Sequence, residues 1–184
     1  IHVIEPLQEQ GLDLHLPVTD VRYYHEEQDW VVFTSEQSDM DGDGFDEVCF
    51  SINAGFTLQP RKIFCVDIHR GRVTGQEELV GNNLFELVLL DIDRDGVKEI
   101  SGRSSAPGNV KDSIPISDTC AWFMVYDHNL TFRTPPIPYP GSPSYLEVLP
   151  LAVDDRPLLL THHFSNMSGR FQNRLELWGF EEDK

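Results

Sequence analysis

Two short stretches of this chain crowd carboxylates at the same spacing. The segment DMDGDGFDE (39–47) has Asp at its first, third and fifth positions, Gly at its sixth and Glu at its ninth. The segment DIDRDGVKE (91–99) repeats that layout. Two like charges about 4 Å apart repel by about 4 kcal/mol at an effective dielectric near 20. Such a turn is stable only if some carboxylates are protonated or a cation neutralises them.

The spacing favours a cation held entirely by oxygen atoms. Asp residues at alternate positions before a sharp glycine turn aim carboxylates inward, and positions seven and nine add a backbone carbonyl and a further carboxylate. A cage of about six or seven oxygens suits Ca²⁺ better than Mg²⁺, and neither segment contains the Cys or His typical of zinc. The predicted ligands of two Ca²⁺ sites are Asp39, Asp41, Asp43, the Phe45 carbonyl and Glu47, and Asp91, Asp93, Asp95, the Val97 carbonyl and Glu99.

Two other structures are compatible with acidic segments of this length. An EF-hand needs Glu at position twelve between two helices, whereas Phe50 and Gly102 stand there. A solvated acidic turn without metal is the plainer alternative, and the repetition of the pattern argues against it. The first segment contains five acids and no base, whereas Arg94 and Lys98 offset the second. We therefore expect the first loop to depend more on the ion.

The segments around the acidic loops have the character of strands. They are short, rich in β-branched and aromatic residues and bounded by Gly, Pro, Asn and Asp. No stretch sustains a helical apolar period, so we expect little helix. Three units of similar layout are predicted, with strands at 30–33, 47–52 and 62–68, at 84–90, 99–105 and 121–127, and at 145–151, 158–164 and 174–180.

This layout resembles the FG-GAP or VCBS repeat of integrin-α-like β-propellers. The resemblance rests on the two D-x-D-x-D-G-x-x-E turns and on the strand ends VD (66–67) and YD (126–127). It implies an all-β, β-propeller-like fold with about three four-stranded blades, a partial or incomplete propeller. It also implies Ca²⁺ between the first two strands of a blade and a location outside the cytoplasm. We expect one domain over 1–184, with units 29–80, 81–140 and 141–184 and an outer strand from 1–28.

Composition limits the partners. The net charge of −17 argues against nucleic acid or an anionic membrane. No apolar run reaches the ~20 residues of a membrane span. The chain begins at Ile1, which we interpret as a piece of a longer protein, with a membrane tether or further blades elsewhere or an oligomer completing the fold. Cys49 and Cys65 are compatible with one disulfide, and three buried thiols including Cys120 are the alternative.

Catalytic patterns are scarce in this sequence. It contains no G-x-S-x-G or H-E-x-x-H motif, and the adjacent His162 and His163 point to opposite faces of a strand. We therefore expect a non-catalytic, extracytoplasmic recognition module, such as the outer domain of a bacterial sensor kinase or an adhesion piece, with a protein or carbohydrate ligand. The alternative is a secreted Ca²⁺-dependent enzyme acting on polysaccharide or phospholipid. The long segment 104–119 is the predicted contact loop, and the proline-rich 134–144 a connector.

Overall fold

The computed structural model describes residues 31–53, 61–76, 81–108, 115–141, 143–167 and 169–180. Within these ranges it has eleven strands and no helix, which confirms the all-β prediction. No helix of the described residues could therefore cross a membrane. The outer strand expected in 1–28 lies outside the described residues. The strands are β1 (Val31–Ser38), β2 (Glu47–Asn53), β3 (Arg61–Asp67), β4 (Arg72–Gln76), β5 (Leu84–Leu90), β6 (Glu99–Ser105), β7 (Ala121–Phe123), β8 (Ile137–Tyr139), β9 (Ser144–Val153), β10 (Arg156–Met167) and β11 (Arg170–Trp178).

The first sheet is a four-stranded antiparallel meander with the order β1-β2-β3-β4. It contains the three strands predicted for the first unit, and the first acidic loop connects β1 to β2. Register places Cys49 directly opposite Cys65, with 4.1 Å between their Cα atoms, and a disulfide joins them. Of the two cysteine interpretations, three free thiols is therefore wrong, and only Cys120 remains free.

The second sheet joins strands that we had assigned to two separate units. Its order is β11-β10-β9-β6-β5, because Ser104 and Ser105 of β6 pair with Leu146 and Tyr145 of β9. The second and third units thus share one sheet rather than forming separate four-stranded blades, and the described strands do not close into a propeller. The second acidic loop connects β5 to β6.

The third sheet contains only β7 and β8. Strand β8 falls inside the proline-rich segment, which we expected to be a connector only. Pro138 lies opposite Trp122 in this two-stranded pair, where a missing N–H costs little because each strand has a free edge. The chain between β7 and β8 also bridges Tyr126 to Ile100 and to Phe132, so it covers the start of β6.

Two apolar clusters hold these sheets together. One lies between the first sheet and β5–β6, and the other lies between β7–β8 and the strands β9 and β10. The buried members of the first are Met40, Cys49, Ile63, Cys65, Leu84, Leu87, Ile100, Met124, Tyr126 and Leu130. Those of the second are Ile92, Ala121, Phe123, Val125, Tyr139, Leu146, Val148 and Leu159. Met40 and Ile92 belong to the acidic loops, so each loop is anchored to the core by its second residue.

The segment predicted to be a contact loop has buried ends. Ser104 and Asp118 are 0% and 1% exposed, and Asp118 forms an ion pair with the buried guanidinium of Arg61 at 3.0 Å. The backbone N–H of Gly108 donates to the Asp118 carbonyl. The ends of this segment are therefore not an exposed loop, because they fasten the first sheet to the second, and the contact role of 104–119 stays a prediction. Residues 109–114 lie outside the described ranges.

Candidate metal centres

The two acidic loops have the same local structure. In each loop the carboxylates at positions one, three and five accept hydrogen bonds from the N–H groups at positions six, five and seven. The Glu at position nine accepts from the N–H at position two. The donor–acceptor distances for Gly44–Asp39, Asp43–Asp41, Phe45–Asp43 and Met40–Glu47 are 3.0, 3.2, 2.9 and 2.9 Å. Those for Gly96–Asp91, Asp95–Asp93, Val97–Asp95 and Ile92–Glu99 are 3.1, 3.4, 2.8 and 3.0 Å.

Left-handed backbone conformations recur at the same two positions of both loops. Position six is Gly44 or Gly96, with φ of +90° and +92°. Position four is Gly42 with φ of +76° in the first loop and Arg94 with φ of +66° in the second. An L-residue pays about 1–2 kcal/mol for this conformation, whereas glycine does not. The glycine at position six therefore permits the turn that brings the carboxylates together.

Each loop gathers three carboxylates closely enough to hold one ion. Oxygens of Asp39, Asp41 and Asp43 lie within 4.8 Å of one another, and so do those of Asp91, Asp93 and Glu99. The structure thus brings together most of the predicted ligands. Glu47 and Asp95 are not part of these groups.

Phe45 and Val97 are the two residues predicted to offer a backbone carbonyl to the ion. The ring of Phe45 stacks on His69 with 4.0 Å between centroids. Val97 is half-buried.

Several of these carboxylates are buried, which makes their charge costly without a counter-charge. Glu47 is 1% exposed and Glu99 is 3% exposed. Burial raises the pKa of Glu47 above its ordinary value and that of Glu99 to about 7. Oε1 of Glu47 and Oδ1 of Asp91 are buried and have no hydrogen-bond partner among the described residues. Buried oxygens of this kind normally find a partner, and a cation would supply one, so the residues present fit a metal ion.

Two arginines outside the loops reach the acidic groups, and sequence reasoning missed both. The guanidinium of Arg70 contacts Asp43 and lies 2.8 Å from Oδ2 of Asp67. Arg133 contacts Asp93 and lies 3.9 Å from Oε1 of Glu99. Each arginine lies a few residues after the Asp that ends a VD or YD run, but nothing in the sequence indicates that it would reach an acidic loop. The expected difference between the loops is thus reduced, because each receives a guanidinium from elsewhere.

Asp67, at the end of β3, is a fully buried acid beside the first loop. It lies opposite Glu47 in the β2–β3 register. Burial alone raises the pKa of this carboxyl, but the backbone N–H and the guanidinium of Arg70 outweigh burial and bring the pKa below its ordinary value. Asp67 is therefore a charged, buried group that fixes Arg70 beside the first loop.

The two loops are also in direct contact. The N–H of Lys98 donates to the carbonyl of Met40 at 2.9 Å, and the Nζ of Lys98 contacts the hydroxyl of Ser38. A Cβ added to Gly42 would lie 3.1 Å from the carbonyl oxygen of Gly96. The base that we counted against the acids of the second loop therefore reaches the first sheet instead.

A separate cleft of about 570 Å³ opens beside β8, lined by Tyr139, Pro140, His163 and residues 171–174. Nε2 of His163 lies 2.8 Å from the hydroxyl of Ser144. That hydroxyl is fully buried and donates to the Tyr139 carbonyl, so it is not poised as a nucleophile. Burial lowers the pKa of His163. The opposite placement of His162, which is half-exposed beside Glu147, agrees with the predicted alternation.

Comparisons with protein families, with curated proteins and with solved structures found no match to this chain. The function must therefore be argued from the loops themselves.

Proposed function

We propose that this chain is a non-catalytic recognition module whose two acidic loops bind Ca²⁺ as a structural ion. The observation that carries the proposal is the pair of equivalent loops, each with three carboxylates within 4.8 Å and one buried oxygen without a partner. Ca²⁺ is the preferred ion because hard oxygen ligands in a flexible loop meet its need for many contacts at 2.3–2.6 Å. Each ion would fasten a strand pair, β1 to β2 or β5 to β6.

The family resemblance gives this proposal its biological setting. FG-GAP or VCBS repeats belong to propeller-like proteins outside the cytoplasm, where Ca²⁺ is abundant enough to fill sites of modest affinity. We infer an extracytoplasmic location and a propeller-like assembly completed by further blades or copies. The outer domain of a membrane receptor, such as a bacterial sensor kinase, or an adhesion piece fits such a module. Nucleic acid is not an expected partner, because the net charge is −17.

The cleft beside β8 is the candidate surface for a protein or carbohydrate ligand. It combines an aromatic ring, a guanidinium and amide side chains, which suits polar ligands with apolar faces. A Ca²⁺-dependent enzyme acting on polysaccharide or phospholipid is the second candidate, and the same cleft is what favours it. The buried Ser144 argues for recognition instead, because its hydroxyl donates to the Tyr139 carbonyl and is not exposed to a bound substrate.

Thermal unfolding with and without Ca²⁺ tests the proposal. For a Kd of about 10–100 µM and about 1 mM free ion, each site adds about 1.4–2.7 kcal/mol to the free energy of unfolding. In a chain of this size that corresponds to about 2–4 °C per kcal/mol in melting temperature. Mg²⁺ at the same concentration should give a smaller shift. An unchanged melting temperature after chelation would remove the structural-ion claim.

Matched substitutions connect the shift to the loops. Asp91→Asn removes a carboxylate from the second group and should abolish about half of the Ca²⁺-dependent shift. Asp46→Asn is the control, since Asp46 is exposed and bonds Gln37 rather than facing the carboxylate group. An equal loss of the Ca²⁺-dependent shift in both variants would mean that the ion responds to the overall negative charge and not to the carboxylate group of the loop.

A further inference from the structure

Strand β11 is an open edge of the second sheet. It is the last strand in the order, and every residue from Arg170 to Leu175 is exposed, whichever face its side chain is on. Phe171 and Leu175 are 69% and 67% exposed. In the described part of the chain, no strand pairs with the far side of β11. An uncovered strand of nine residues presents unpaired backbone N–H and C=O groups that can pair with another chain.

The outer face of the same sheet is apolar as well. Register places the odd-numbered residues of β9 and β11 on this face with the even-numbered residues of β10. Its apolar members are Tyr145, Leu149, Leu151, Val153, Leu158, Leu160, Phe164, Phe171, Leu175 and Leu177. On a chain with net charge −17, a face so poor in acids is suited to a protein contact rather than to a cation.

The sequence of β11 is complementary to itself. We propose that β11 pairs antiparallel with β11 of a second copy of this chain, with Asn173 opposite Asn173. This register places Arg170 opposite Glu176 twice and Phe171 opposite Leu175 twice. Arg170 is exposed and has no ion pair among the described residues, whereas Glu176 already contacts Arg174 and the hydroxyl of Tyr139, so Arg170 of a second copy would extend this charged group. Opposite charges and apolar pairs facing each other across strands are both stabilising.

Neighbouring registers are less favourable. Shifting the two-fold axis to residue 174 sets Arg174 against itself, and shifting it to residue 172 sets Arg170 against Arg174. Moving it to residue 175 keeps an Arg–Glu pair but sets Leu177 against Asn173 and leaves Phe171 beyond the end of the partner strand. Like charges directly opposite one another are destabilising. The arrangement centred on Asn173 is therefore the one that satisfies both charge and apolar surface.

The dimer should be of moderate affinity. A seven-residue antiparallel ladder adds about six to eight backbone hydrogen bonds, and it joins the two apolar faces into one continuous sheet. Edge pairing alone buries less than the ~800 Å² per partner of a standard interface. We therefore expect association to depend on protein concentration in the accessible range.

Sedimentation velocity over a range of concentrations tests the pairing, with Ca²⁺ held constant. The unmodified chain should dimerise. Arg170→Glu places like charges opposite each other twice and should raise the dimer Kd about tenfold or more. Arg156→Glu is the matched control, because it makes the same charge change on an exposed residue of β10 away from the edge, and it should leave Kd nearly unchanged. Circular dichroism verifies that each variant is folded.

Cross-linking tests the register independently. In a Cys120→Ser background, Asn173→Cys should form an intermolecular disulfide under mild oxidation, whereas Leu175→Cys should not, since it faces Phe171. A chain that stays monomeric would overturn the proposal and leave the edge for a different partner. A dimer that survives Arg170→Glu, or that cross-links through residue 175 instead, would overturn the proposed contact. All of these outcomes are independent of whether the acidic loops bind Ca²⁺.

Discussion

Gly42 and Arg94 occupy the same position of the two acidic loops, and both have positive φ. Only glycine adopts a positive φ without a steric penalty, so the second loop has backbone strain at Arg94 that the first loop does not have at Gly42. Gly42 has an additional constraint, because its missing side chain lets the first loop approach the carbonyl of Gly96. The two equivalent residues should therefore respond in opposite directions to substitution.

We expect Arg94→Gly to raise the free energy of unfolding by about 0.5–1 kcal/mol, the left-handed penalty less the extra freedom of glycine in the unfolded chain. Arg94→Ala is the control, since it removes the same side chain and keeps the strain. Gly42→Ala should lower stability by about 1–2 kcal/mol or more. Gly44→Ala, where a Cβ has open space, measures the backbone cost without the contact. Chemical denaturation in the presence of a chelator measures the free energy of unfolding of all four variants. Equal losses in Gly42→Ala and Gly44→Ala would contradict a close approach of residue 42 to the Gly96 carbonyl.

Of the four carboxylates that local spacing predicted for each loop, three gather, and the spacing did not predict what surrounds them. Asp39, Asp41 and Asp43 are close in the chain, so a turn suffices to bring them together. Arg70 and Arg133 are separated from the Asp residues that they contact by 27 and 40 positions. Such contacts depend on how β3 and the chain after β7 pack, which no motif encodes.

At the scale of elements, most strands were predictable, whereas β4, β8 and the pairing of β6 with β9 were not. The turn at Asp154 and Asp155, both at positive φ, closes the β9–β10 hairpin between the strands predicted at 145–151 and 158–164. The short pairing of β6 with β9 was not predicted, because neither strand has a sequence pattern that indicates which strand it pairs with. Alternating patterns predict which face of a strand is buried, whereas the order of strands depends on the long connections between them.

The ion pair between Arg61 and Asp118 ties these elements together. Both side chains are almost fully buried, at 4% and 1% exposure. Asp118→Asn would leave the guanidinium without its carboxylate, and we expect a loss of about 3–5 kcal/mol in unfolding free energy. Glu86→Gln breaks the exposed pair with Arg103 and should cost less than about 1 kcal/mol. If both changes lower the unfolding free energy by a similar, small amount in denaturant, the buried ion pair does not stabilise the packing of these elements.

The disulfide between β2 and β3 gives a second test at this scale. Cys49 and Cys65 are 16 residues apart, and closing a loop of that length stabilises a protein by about 3 kcal/mol. Reductant should lower stability by that order, and Cys120→Ser should respond in the same way. Counting thiols in the denatured, unreduced protein should give one per chain. Three thiols would show that the bond does not form.

At the scale of the molecule, the sequence gives the net charge, but it does not show how the charged side chains are distributed over the surface. The two acidic loops hold nine of the 31 carboxylates, and the packing of the first sheet against β5 brings these loops together. The result is a single strongly negative region at one end of both strand pairs. Its stability should depend on divalent cations more than any other part of the described fold.

The hydrogen bond between Lys98 and Met40 couples the order of one loop to that of the other. An ion that fixes one loop would lower the entropic cost of fixing its neighbour. Calcium uptake should therefore be cooperative, with a steeper isotherm than two independent sites give, and calorimetric titration of the Asp91→Asn variant should give a shallow curve instead. If both loops bind Ca²⁺ as proposed, they would fill over a narrower range of calcium concentration than two independent sites.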